Sequence, residues 1–186
     1  MTATAIPGIA TQAWQIDSAH TSAQFAVRHL MIATVKGSFS DITGTVIHEP
    51  ATGAIDVNVE IPVATITTRN AQRDAHLRSA DFFDAEHHSV ITFKGKRIEG
   101  DIAGKFRLVG DLTMRGTTRE IVLDVKNEGS GSDAWGNERI GFSATAKLNR
   151  QDFGLKWNVA LEAGGVTVGD EVKISLDVEI MRPLAT

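Results

Sequence analysis

The chain has 186 residues, 42% of them hydrophobic and 23% charged, with a formal net charge of −4; this is the balance of one ordinary globular domain, neither disordered nor fibrous. The complete absence of cysteine excludes thiol catalysis, Fe–S clusters, Cys-ligated zinc and disulfide frameworks together. The acidic balance, with no Lys/Arg cluster to offset it, argues against a general nucleic-acid or anionic-membrane binder, which needs a basic excess to release counterions.

Residues 1–13 lack periodicity, carry Pro7-Gly8 and contain no charge before Asp17. They read as a flexible tail without the basic region of a secretory signal, so a cytoplasmic location is expected. Regular structure is expected from Trp14. Within residues 20–29, Ala23, Phe25 and Val27 alternate with Gln24, Ala26 and Arg28, the period of a half-buried strand. The short apolar run from Leu30 to Val35 is far from the roughly 20 residues of a membrane span, so stable membrane insertion is not expected. Weaker alternation covers 35–47. It is strict at Ile55, Val57, Val59 and Ile61 until Pro62 ends the ladder. Thr68 to Ser79 breaks the pattern: it has neither alternation nor Gly or Pro, and reads as one short helix capped by Thr68 or Asn70, with Arg73 and Asp74 fastening it.

Strands resume at 89–99, 102–114 and 117–126. Gly129 to Gly136 reads as a long hairpin loop, and Ile140, Phe142, Ala144, Ala146 and Leu148 form another inward row. After the Gly164-Gly165 turn, Glu171 to Met181 alternates over its whole length. About eight antiparallel strands with one apolar face must close or stack to remove their edges. The expectation is all-β: a single extended eight-stranded antiparallel barrel over residues 14–183, with one short helix near 68–79. Such a barrel is filled by side chains or holds one small or elongated ligand. Phe25 and Val27, Ile91 and Phe93, and Phe142 and Ala144 are expected to share its interior face.

Asp17, His20 and Ser22 offer the residue types of a nucleophilic triad, but in a regular strand Asp17 points through the opposite side of the sheet from His20, and no oxyanion hole is evident. A bulge would restore Asp17, since apolar positions are even at Trp14 and Ile16 and odd at Phe25 and Val27, and capping and turn hydrogen bonds are the expected role. His76, His87 and His88 stand near Asp81, Asp84 and Glu86 without a recognised metal-ligand spacing. No metal, cofactor or nucleotide site is therefore expected. His29 and Arg150 end apolar rows, and each has two readings. They are a satisfied core histidine and a local Arg150–Asp152 salt bridge, or the polar mouth of an apolar tube that takes the head group of an amphiphile.

HTSAQFAVRH at 20–29, VKGSFSDITGTV at 35–46, RDAHLRSADFFD at 73–84, GDLTMRGTTREIVL at 110–123, LNRQDFG at 148–154 and VGDEVKISLDVEI at 168–180 together resemble the YceI-like family. The resemblance implies a lipocalin-like barrel that binds a long polyisoprenoid lipid in its interior, without catalysis. It carries the family motif onto His20, Phe25, His29, Arg73, Asp74, Leu77, Phe82, Phe83, Arg150, Asp152 and Gly154. Trp14 stands where many members have tyrosine. The expected activity is that of a carrier, storage or sequestration protein for an isoprenoid-like lipid, held by Phe25, Val27, His29, Ile91, Phe93, Phe142, Ala144 and Arg150, with a homodimer left open. Two rivals remain: an enzyme acting on a lipid or quinone head group at the barrel mouth, and a stress-response accessory protein whose barrel is filled.

Overall fold

The structure is a computed structural model that describes residues 13–49, 52–162 and 164–184; the expected tail at 1–13 lies outside them except for Ala13. Ten strand segments run in chain order: β1 (Trp14–Ile16), β2 (Ser22–His29), β3 (Ala33–Phe39), β4 (Thr43–Glu49), β5 (Ala54–Pro62), β6 (Val90–Gly100), β7 (Lys105–Met114), β8 (Thr117–Ser132), β9 (Asn137–Asn149) and β10 (Val168–Pro183). They amount to eight long strands, because β1 and β2 are halves of one strand and β3 and β4 halves of the next. The first break is a 3₁₀ turn at Ser18–His20. The second is at Ser40–Ile42, where Asp41 has φ 56°, a left-handed value that Asp tolerates better than most residues.

These breaks determine how the barrel closes. β10 pairs with β1 at its C-terminal end and with β2 along its N-terminal half, while β1 in turn pairs with β4. One end is therefore a continuous hydrogen-bonded ring of eight antiparallel strands. At the other end β3 pairs only with β2 and makes a single bridge, Ser38 to Thr67. The gap beyond β3 is covered by residues 63–89, which carry the only α-helix among the described residues, α1 (Ala71–Arg78).

Helix α1 begins where Asn70 accepts a hydrogen bond from Arg73 N, the N-cap position that Asn favours. Arg73 and Asp74 fasten the helix to the preceding Thr68. Asp74 Oδ1 accepts from Thr68 N at 2.8 Å, and Arg73 Nε donates to Thr68 Oγ1 at 2.7 Å. The tie to the barrel is Arg115, in the β7–β8 turn, whose guanidinium donates to the carbonyls of Ala80, Phe82 and Gly154.

The inward rows follow from strand register. Val125, Ala144, Leu176, Ala23 and Phe39 are successive cross-strand partners over β8, β9, β10, β2 and β3. Ala146, Ile174, Phe25 and Gly37 form the next row. The ring of Phe25 lies over Gly37, where a Cβ would collide with it; only glycine allows the aromatic to fold across the neighbouring strand.

One expectation is corrected. Gly129 to Ser132 is not a loop but the end of β8, paired residue by residue with β9 from Gly141 to Glu138. Backbone pairing needs no side chain. The true turn is Asp133–Gly136, held by Asp133, whose carboxylate accepts from Trp135 N, Asn137 N, Asn137 Nδ2 and Arg139 Nε.

Candidate functional site

The barrel interior is not filled. An inner chamber of about 230 Å³ is bounded almost wholly by apolar side chains, among them Val57, Ile91, Phe93, Leu112, Phe142, Ala144 and Ile180. An outer chamber of about 290 Å³ lies between the β2–β3 hairpin, α1 and the 155–168 loop. The two share Phe25, Phe39, Met114, Leu148 and Ile174 as a common waist. Packed protein interiors contain few voids larger than a water molecule, so chambers of this size are a feature of the design. Together they fall within the roughly 300–1,000 Å³ of ligand pockets.

All eight residues picked out from the sequence lie on these walls. Ile91, Phe93, Phe142 and Ala144 line the inner chamber, Val27, His29 and Arg150 the outer one, and Phe25 both. Others had no individual signal. Met114 reaches the waist, and Leu155 and Trp157 wall the outer chamber from an irregular loop whose period cannot be read.

Arg150 does not offer its charge to the chamber. The residue is 5% exposed. Its Nε donates to Gly169 O at 2.9 Å, Nη1 to the carbonyls of Leu155 and Trp157, and Nη2 to Val168 O and Asp170 Oδ1. All five N–H groups of a guanidinium thus have acceptors in the protein. The local pair with Asp152 is not formed; Asp170 on β10, at 3.3 Å, is the carboxylate partner, because the 3₁₀ turn at Arg150–Phe153 turns Arg150 inward. Burial pushes its pKa below the ordinary arginine value, and Asp170 opposes that. The guanidinium clamps the 155–169 segment to the barrel.

The remaining basic groups of the outer chamber are Arg28, His29, Arg73 and His76. His29 is partly buried, and no hydrogen bond ties its ring to another described residue. His76 stands edge-on to Phe82 and Trp157, with centroids at 5.1 and 4.7 Å, and its Nε2 meets Asp81 at 2.8 Å. His87 pairs with Asp84 at 2.9 Å. His76 and His87 are thus engaged with separate aspartates.

A second polar cluster sits outside both chambers. The strand is not regular here: Asp17 caps the 3₁₀ turn, accepting from Ala19 N at 3.0 Å, and the turn places His20 Nδ1 2.9 Å from Asp17 Oδ2. Arg139 Nη1 donates to Asp17 Oδ2 at 2.6 Å and also to Glu179, while its Nε donates to Asp133. No hydrogen bond joins Ser22 to this group. Asp17, His20 and Glu179 could geometrically share a cation, but Arg139 already fills the position between the two carboxylates. The cluster is an ion-pair hub that staples β1, β9 and β10.

Hydrogen bonds from His20 and Arg139 lower the Asp17 pKa to about 2, and Asp17 raises that of His20. A depressed carboxylate stabilises the fold above its ordinary pKa of 3.8 and loses that contribution as pH falls toward 2; the loss is on the order of 2 kcal/mol. The raised histidine acts in the opposite sense. Its contribution is complete below 6.5 and fades as pH rises through its folded value. The hub therefore stabilises most between those ordinary values. Thermal unfolding across pH is expected to show a steeper acid fall in the wild type than in Asp17→Asn, and equal acid slopes would refute this assignment.

The YceI-like domain matches residues 14–180. The chain belongs to the YceI-like family. The UPF0312 protein of Staphylococcus aureus is 36% identical over 167 residues, 88% of this chain and 94% of that protein. The crystallised YCEI protein of Campylobacter jejuni is 32% identical with a TM-score of 0.68, covering 83% of this chain and 89% of that one. A polyisoprenoid binding domain from Saccharophagus degradans, implicated in plant cell wall breakdown, superposes with a TM-score of 0.65 at 14% identity, over 91% of this chain and 98% of that one. At that identity the likeness is one of fold. No described helix of this YceI-like protein is long and apolar enough to cross a membrane.

Proposed function

We propose that this protein binds a long isoprenoid-type lipid lengthwise through both chambers, as a carrier, storage or sequestration protein and not as an enzyme. The observation that carries this reading is the pair of apolar chambers joined at the Phe25–Phe39–Leu148 waist; a filled barrel, as the accessory-protein alternative requires, has no such space. The polyisoprenoid-binding domain of the same fold and the family membership support a binding role. Each buried CH₂ contributes about 0.8 kcal/mol. Several isoprene units thus give tight binding before ordering costs are subtracted.

A catalytic alternative needs three polar groups converging beside the cargo. The outer chamber offers cationic and imidazole groups, Arg28, His29, Arg73 and His76, but no carboxylate among the described residues lines it to act with them, and Arg150 is spent on carbonyls and Asp170. The polar end of the ligand therefore lies near His29, with Arg28 and Arg73 at the rim.

Native mass spectrometry of the protein purified from its own cells, followed by organic extraction, is expected to release a prenyl-chain lipid at up to one per chain. Purification with no lipid, together with no uptake of added long-chain isoprenoid alcohol, overturns the reading.

A further inference from the structure

We propose that the β2–β3 hairpin tip, with Val159 on the facing loop, is a docking surface for a phospholipid bilayer, through which the outer chamber exchanges its cargo. The inference rests on the lipid-binding reading of the cavity and adds the partner from which the cargo comes.

Among the described residues six large hydrophobics are exposed, and three of them gather at this mouth: Met31 at 54%, Ile32 at 79% and Val159 at 50%. Leu30 N donates to Thr167 O at 2.9 Å, and Thr167 N donates to Val159 O at 3.0 Å, so tip and loop form one continuous rim. The tip is a tight turn closed by Ile32 N donating to His29 O, with Leu30 at φ 50° and Met31 at φ 60°. Two consecutive left-handed residues are the geometry of a turn that favours Asn-Gly. Met31 is both left-handed and exposed, and Ile32 beside it faces water, costs that the fold does not require.

Charge points to the same partner. Every titratable side chain lining the outer chamber is an arginine or a histidine, and with Arg150 turned to main-chain carbonyls those left to face the mouth are Arg28, His29, Arg73 and His76, in a chain with 23 Asp and Glu against 19 Lys and Arg. Arg28 and Arg73 are exposed, where the phosphates of a bilayer would meet them once the tip enters the interface. The net charge of −4 supplies no long-range attraction, so insertion of the apolar tip provides the affinity. An apolar cargo that leaves a bilayer directly into the chamber is never exposed to water.

The test is flotation of the full chain with phosphatidylcholine vesicles. Met31→Gly/Ile32→Thr is the informative variant, because glycine suits the left-handed position and threonine suits a strand entrance; its unfolding temperature confirms the fold. Wild type is expected to float, the variant to lose about tenfold or more of its vesicle partitioning, and Trp135→Ala, at the opposite end of the barrel, to behave as wild type. Bound lipid is measured in parallel by native mass spectrometry. Wild type that retains lipid but does not float, or a variant that floats equally, overturns the docking surface and leaves the cavity reading intact. Flotation through the tip by a protein that takes up no isoprenoid keeps the docking surface and overturns the cavity reading. Loss of a solution dimer in the variant, with no flotation of wild type, would assign the tip to a second copy and overturn the bilayer.

Discussion

Arg150→Met is expected to destabilise the delipidated protein by about 3–5 kcal/mol while leaving most of the bound lipid in place. The substitution keeps the stem volume and removes the charged fork, which strands the carbonyls of Leu155, Trp157 and Gly169 and leaves Asp170 without its guanidinium; the Val168 carbonyl keeps its bond from Asn158 Nδ2 at 2.7 Å. Buried acceptors deprived of a donor cost about 1–3 kcal/mol each, partly recovered as the segment relaxes toward water. In a domain of this size the unfolding temperature should fall by roughly 10 °C. Hydrogen exchange should rise across residues 155–169 before the barrel itself opens. The paired measurement is lipid stoichiometry under conditions where the variant is still folded. Lost lipid with unchanged stability would return Arg150 to the ligand's head group.

The barrel was legible because strand alternation reports burial directly. Ile55 to Ile61 and Val172 to Ile180 each put an apolar residue on every second position, and one register satisfies them. Two features were hidden by the same rule. Between Asp17 and Thr21 the apolar positions change from even, at Trp14 and Ile16, to odd, at Phe25 and Val27; that shift marks a break in the strand, but not the 3₁₀ turn that brings His20 to Asp17. Gly129 to Ser132 has no apolar face, yet the backbone pairs regardless.

The candidate site was legible for the same reason, and only so far. An inward row reveals which side chains face the interior, as at Phe25 and Phe142, but not whether those facing each other meet. Part of the difference between a packed core and an open chamber is a sum of small side chains on the inner wall, Ala23, Ala144 and Ala146. Arg150 shows the limit from the other side. Its inward position was readable; its acceptors come from a loop with no period.

Ala146→Phe is expected to abolish lipid binding without unfolding the protein. Ala146 pairs with Ile174 across the β9–β10 ladder and is followed on the same face by Leu148, and both of these neighbours belong to the waist. A benzyl group added there has open space in the adjoining inner chamber, about 230 Å³, so the strain of overpacking, typically 1–3 kcal/mol, is offset by contacts that the chamber walls otherwise lack. Filling apolar space recovers about 24 cal/mol per Å³, so the delipidated variant should unfold within a few degrees of wild type or above it. A long chain, by contrast, must thread the waist to use both chambers. Losing the part beyond it removes several CH₂ units at about 0.8 kcal/mol each, which weakens binding by a hundredfold or more on that scale. A short isoprenoid that fits one chamber should lose far less. Comparing uptake of a long and a short isoprenoid alcohol by the two proteins therefore tests the threaded geometry itself: an unchanged preference for the long chain in Ala146→Phe would mean that the ligand does not pass between the chambers.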